Sequence, residues 1–289
     1  MSPTKPPGFL ASELGETRPE SCLFHVIPAC YEKSVSYGKG AGQGPLAILD
    51  ASQQLELYDG SGIPAQRGIF THPVIDCGGP PEKELEKISG RVKDAMAAGK
   101  VPVLLGGEHT VTVGALKALE ASEKSVGIVQ FDAHADLRDT YEGTGLSHAC
   151  VMHRALDMGF YIYQIGVRSL SPGEVVLRRE REICHLDAAE IADKGIPDTI
   201  LPDDFPEQVY ITFDVDGLDP SVIQATGTPE PGGLFWYDAM EILEKIAAER
   251  KIIGFDVVEL APIPGFHTSD FASARLVYNI MGMIDRNTP

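Results

Sequence analysis

Residues 131–139 read FDAHADLRD, so Asp132, His134 and Asp136 alternate with small residues directly after an apolar run, VGIVQF (126–131). Side chains two apart in an extended segment point the same way, so these two carboxylates and the imidazole can converge on one point. Two more apolar runs end similarly. VPVLL (101–105) leads into GGEHT and His109, and VYITF (209–213) leads into Asp214-Val215-Asp216. Carboxylates gathered in one place repel one another unless cations neutralise them. Mixed imidazole and carboxylate donors suit Mn²⁺, Fe²⁺ or Zn²⁺ better than Ca²⁺, and the lack of thiolates argues against a structural zinc site. Six donors with carboxylates left over for bridging favour two ions about 3.5–4 Å apart. The other reading of the cluster is a metal-free buried polar network.

Such convergence needs several strand ends on one edge of a sheet. Apolar runs expected as strands are 23–27, 73–77, 101–105, 126–131, 161–167, 182–186, 209–215 and 252–258. Helical patterns are expected over 81–99, 112–122, 237–250 and from Ser269 to about Ile284. Nearly continuous apolar strands, rather than alternating ones, indicate a parallel sheet covered on both faces. The expected architecture is therefore α/β: three layers, α/β/α, around a mostly parallel central sheet. Residues 1–289 read as one domain, with residues 1–22 as an N-terminal arm. Ligands of such sheets sit beyond the carboxyl ends of the strands, where these donors fall.

Lys+Arg total 24 and Asp+Glu 42, a formal net charge of −18. That surface repels nucleic acid and anionic lipid and attracts a cationic small molecule. No window approaches the ~18 uncharged apolar residues of a membrane span, and no basic, then apolar, secretory signal opens the chain. Five cysteines (Cys22, Cys30, Cys77, Cys150, Cys184) form no CxxC pair. Free thiols in a cytoplasmic protein are expected. The glycine-rich stretch 36–45 lacks the order of a phosphate loop and reads as a substrate-lining loop. Asp219-Pro220 reads as turn chemistry.

GGEHT, FDAHADLRD and ITFDVDGLDPSVIQATGTPEPGGL, in this order, resemble the three signature segments of the ureohydrolases, the arginases, agmatinases and their relatives. The resemblance runs from about Cys22 to Met283. YEGTGLSHACVMHRA (141–155) and QIGVRS (164–169) look like the agmatinase branch. The family implies an arginase-like fold, two Mn²⁺ per chain and a homo-oligomer, trimer or hexamer. It implies one ion on His109, Asp132, Asp136 and Asp214, and the other on Asp132, His134, Asp214 and Asp216. It further implies Asp136 as proton carrier, His148 as a second shuttle beside the substrate, and Glu259 as partner of the substrate guanidinium. Glu108, Leu146, Ala149 and Gln224 depart from common family residues, and none of them is a ligand position.

The implied reaction is manganese-dependent hydrolysis of agmatine to urea and putrescine, with a metal-bridging hydroxide as nucleophile. The alternatives are another guanidino compound (guanidinobutyrate, arginine or a guanidino acid) and, from a different class, a dinuclear-metal phosphohydrolase. The loop 141–147 offers one anion, Glu142, and few long donors, so it suits an amine-tailed substrate better than arginine. Glu142 is the residue expected near the distal ammonium.

Overall fold

Apolar strands with no polar face demand cover on both sides, and the chain supplies it. The structure is a computed structural model and describes residues 6–122 and 124–287. Among them, eight strands form one sheet: β1 (Phe24–Ala29), β2 (Ile69–Thr71), β3 (Val101–Gly106), β4 (Val126–Phe131), β5 (Tyr161–Ile165), β6 (Cys184–Leu186), β7 (Gln208–Asp214) and β8 (Lys251–Val258). Their spatial order is β2-β1-β3-β8-β7-β4-β5-β6, and every neighbouring pair is parallel.

The helices are α1 (Ala11–Leu14), α2 (Gly44–Ser52), α3 (Pro81–Ala97), α4 (Val111–Glu120), α5 (Val151–Asp157), α6 (Pro172–Glu180), α7 (Ala188–Lys194), α8 (Trp236–Glu249) and α9 (Thr268–Arg286). Successive strand residues feed opposite cores. Val103, Leu105, Val129, Phe131, Ile211 and Phe213 pack with α2, α8 and α9. Leu104, Ile128 and Tyr210 pack with α3, α4 and α5. The expected three-layer α/β/α architecture holds, and the sheet is wholly rather than mostly parallel.

Strand bounds shift at 23–27, which becomes Phe24–Ala29, and at 182–186, which forms a strand only from Cys184, and two further shifts have identifiable reasons. The run 73–77 is no strand: it touches β1 only through a single bridge, Ala29 to Ile75. The edge strand lies just before it, at Ile69–Thr71, and Pro73, which cannot donate to a ladder, follows its end. The run 161–167 stops at Ile165, where Gly166 turns at φ 84°. Short helices escape pattern reading, although α6 begins with a capping box in which Ser171 and Glu174 bond each other's backbone N–H. Of the N-terminal arm, residues 1–5 lie outside the described residues. Phe9 and Leu10 are buried in the same core as α2 and α9, with the Leu10 N–H donating to Ser52 Oγ at the end of α2.

Backbone crowding just past the end of β3 is tight at the edge of the sheet that carries the donors. A Cβ on Gly107 would lie 1.9 Å from the Tyr31 carbonyl oxygen. Gly107→Ala should therefore lower stability by about 1–3 kcal/mol, the usual cost of overpacking. Gly90, exposed on α3, has nothing within 4 Å of a built Cβ. Gly90→Ala should be neutral or stabilising by up to about 1 kcal/mol, as for a helix-interior glycine. Thermal or denaturant unfolding of both variants checks the contrast.

Candidate metal centre

Four adjacent strands, β3-β8-β7-β4, end side by side, and each delivers a polar residue to the same edge. His109 follows β3, Glu259 follows β8, Asp214 ends β7 with Asp216 in the next turn, and Asp132 follows β4. Local turns aim these side chains. Asp214 Oδ1 accepts from the Asp216 N–H at 2.8 Å, which closes the turn after β7. Asp132 Oδ1 accepts from the His134 N–H at 2.6 Å. Asp136 adopts φ 51° and Glu259 φ 64°. These left-handed positions are uncommon for residues with a Cβ. Asp136 therefore joins the site by a curl of the backbone, not by a straight extension of the strand.

Two groups of donor atoms result, each within 4.8 Å of one another: His109 with Asp132 and Asp214, and Asp132 with His134 and Asp216. Asp132 belongs to both. Asp136 adjoins the first group, its Oδ2 lying 2.9 Å from His109 Nδ1. His134 Nδ1 lies 3.1 Å from Asp216 Oδ2. All are buried except His134, which is partly exposed.

The donor set fits divalent metal ions, and His109 makes the point. Its Nδ1 is buried 2.9–3.5 Å from oxygens of Asp132, Asp136 and Asp214, yet it is aligned for a hydrogen bond with none of them. Its Nε2 lies 2.8 Å from Thr212 Oγ1. That hydroxyl already donates to Asp256 Oδ1 at 2.7 Å, so it accepts from the imidazole N–H. With Nε2 protonated, the Nδ1 lone pair faces the carboxylates, the arrangement that fixes a histidine for metal binding. Neither Thr212 nor Asp256 figures among the sequence candidates, although a buried aspartate inside an apolar strand was a visible signal.

Without a cation the cluster draws protons. Burial, then repulsion from Asp132, pushes Asp136 up to about 7. Burial and neighbouring carboxylates hold Asp214 well above the ordinary range, and burial does the same to Glu259. Burial lowers the proton affinity of His109, but Asp132 and Asp136 outweigh it and the balance is upward. The same point thus calls for positive charge.

A small inner cavity of about 20 Å³ is lined by His109, Asp136, Asp214, Asp216, Glu259 and Tyr37, among others. An outer chamber of about 230 Å³ continues past His134 and His148 to Tyr141, Arg138, Ser171 and Glu174. Glu259 Oε1 accepts from the His109 N–H at 2.7 Å. His148 lies at the junction, with Nδ1 3.2 Å from Ser34 Oγ and Nε2 2.8 Å from Ser36 Oγ. Burial lowers its proton affinity. Ser36, Tyr37 and Gly38 of the glycine-rich stretch line the inner cavity, as expected of a substrate-facing loop. Glu142 is not brought to either cavity; it sits exposed in the turn Tyr141–Thr144. Glu108, noted only as a departure, grips the loop over the site. Its carboxylate accepts from the Lys33 and Ser34 N–H groups and from the Ser34 and Thr110 hydroxyls. Asp219 accepts from three backbone N–H groups and is a turn residue.

Comparison with known proteins matches this geometry to a family. The Arginase family model matches residues 23–282. An N(1)-aminopropylagmatine ureohydrolase of Synechocystis sp. is 37% identical over 289 residues, covering 96% of this chain and 94% of that one. An agmatinase of Pyrococcus horikoshii is 33% identical, covering 90% of this chain and 92% of that one. The crystal structure of agmatine ureohydrolase of Thermoplasma volcanium superposes with a TM-score of 0.85 at 29% identity, covering 99% of this chain and 96% of that one. The matched span contains β3, β4, β7 and β8 with every donor at their ends, and this chain accordingly belongs to the arginase family of ureohydrolases.

Proposed function

We propose that the enzyme hydrolyses the guanidinium of an agmatine-class amine, releasing urea and the free polyamine. N(1)-aminopropylagmatine is the substrate we put first, giving spermidine; agmatine, giving putrescine, is the second reading. The first is favoured by the name of the relative at 37% identity, the second by that of the agmatinase at 33%. The observation that carries the common part is the pair of donor groups sharing Asp132 at the floor of a narrow cavity.

In this proposal His109, Asp132, His134, Asp136, Asp214 and Asp216 hold two Mn²⁺. Bound there, the ions would supply a nucleophile at neutral pH, which an unreactive, charge-delocalised guanidinium requires. Glu259 pairs with the guanidinium and turns its central carbon toward the cluster. Asp136 takes a proton from the attacking water and returns it to the leaving amine nitrogen. His148, held between Ser34 and Ser36, relays the second proton of that same water to the leaving nitrogen. Water thus supplies the oxygen of urea, the C–N bond to the chain breaks, and the amine leaves protonated. Glu142, exposed outside both cavities, takes no part in this proposal, and Tyr141 beside it lines the outer chamber. We further propose that residues 1–289 form one domain acting as a cytoplasmic homo-oligomer. Five free cysteines support that compartment, and no helix among the described residues is long and apolar enough to cross a membrane.

Three outcomes follow. Metal analysis after dialysis against Mn²⁺ should approach two equivalents per chain, and a stable value of one with full activity would contradict two-ion chemistry. Asp136→Asn, shown to keep its metal, should lose about 10²–10⁴-fold in kcat, because an amide cannot carry the proton. A urea-release assay over a guanidino panel should favour the agmatine-class amines over arginine by at least ~10²-fold in kcat/KM, or ~2.7 kcal/mol. Arginine's extra carboxylate would enter a chamber lined by Asp136 and Glu174, whose Arg138 already lies 4.0 Å from Glu174 Oε2, so the added anion meets like charge, which is costly on burial. Equal turnover of arginine would refute the substrate assignment, and orthophosphate release from phosphoesters would favour the phosphohydrolase instead.

A further inference from the structure

Two glutamines interrupt apolar strands. Gln130 of β4 and Gln164 of β5 face each other directly in the parallel register, and both are fully buried. They form part of a continuous chain of hydrogen bonds. Arg178 Nε donates to Gln164 Oε1 at 3.0 Å. Gln164 Nε2 donates to Gln130 Oε1 at 2.5 Å, and Gln130 Nε2 donates to Asp132 Oδ2 at 2.7 Å. Arg178 is buried on α6, and its outer nitrogens meet both oxygens of Asp187 at 2.9 Å. Arg178 and Asp187 line a surface groove of about 1090 Å³.

The direction of this chain is fixed at both ends. A guanidinium donates and never accepts, so Gln164 must turn its oxygen to Arg178. Its NH₂ then faces Gln130 Oε1 and the Ala135 carbonyl at 2.7 Å, both acceptors. Gln130 must in turn direct its NH₂ to Asp132, and the His134 carbonyl at 3.3 Å accepts from the same nitrogen. Reversal of either amide would set oxygen against oxygen in a buried site. A residue on a surface helix thereby decides which face of an amide meets the one carboxylate common to both donor groups.

We propose that Arg178 is a positioning residue for the metal centre, acting through Gln164 and Gln130 to hold Asp132 in the orientation that serves both ions. The proposal rests on the reading of Asp132 as a shared metal ligand. Residues that support metal ligands typically contribute about 10–100-fold to metal affinity.

The test is equilibrium dialysis of the full-length protein against chelator-buffered Mn²⁺, with bound metal measured by atomic absorption and folding by circular dichroism. Arg178→Met and Gln130→Leu should each raise the free Mn²⁺ needed for half-occupancy by about 10–100-fold. The double variant should bind no more weakly than Gln130→Leu alone, because the link through which Arg178 acts is already cut. Unchanged half-occupancy in folded Arg178→Met would overturn the proposal. So would an equal loss from Arg178→Met in both backgrounds, which marks general destabilisation. If Arg178→Met does not fold, Gln164→Leu cuts the same chain and is read by the same two outcomes. A wild-type protein that takes up no Mn²⁺ would strike the metal reading itself, and is thereby distinguished from failure of the positioning chain.

Discussion

Mutual repulsion among buried carboxylates governs this molecule. Asp132, Asp136, Asp214, Asp216 and Glu259 are all buried at one sheet edge. Their desolvation and repulsion far exceed anything a surface ion pair returns. The surrounding structure supplies positive charge and donors to this one point. Backbone N–H groups of Ala133, His134, Asp216 and His109 are turned into it. The imidazoles of His109 and His134 face the carboxylates, and Gln130 adds an amide donor from behind. The carboxylate oxygens still outnumber these donors, and the raised proton affinity of Asp136 and Asp214 marks the same demand for positive charge.

The fold answers this constraint by topology. The chain visits β3, then β4, and returns to fill the gap between them with β7 and β8. Donors far apart in sequence thus become neighbours across adjacent strand ends. Because every strand is parallel, all four ends point the same way, and one edge collects the whole set. Close backbone contacts keep the edge tight: Gly38 N–H meets the Gly227 carbonyl at 3.1 Å, pinning the overlying loop to the segment after β7.

Much of this was legible in the sequence, and the residues show why. FDAHADLRD, GGEHT and DVDG are local patterns attached to apolar runs, so both the strands and their chemistry can be read without knowing which strands are neighbours. The edge strand at Ile69–Thr71 was not legible, because three residues carry too little periodicity and the stronger apolar run follows Pro73. The residues that hold the donors in place were harder to read, for another reason. Thr212, Asp256, Gln130 and Gln164 sit inside strands that read simply as apolar, and their partners come from other strands and helices. Yet each is a polar residue in a fully buried strand, which is itself a sign of an obligatory partner. Glu142 shows the converse: a charge in the right loop, placed by the turn on the solvent side.

The most direct test of the shared Asp132 is diffraction at the manganese edge from crystals grown with Mn²⁺. Two anomalous peaks are expected, about 3.5–4 Å apart, as in two-metal sites, with Asp132 in contact with both and His109 Nδ1 on one. A single peak, or two peaks that Asp132 does not join, would contradict the two-ion centre.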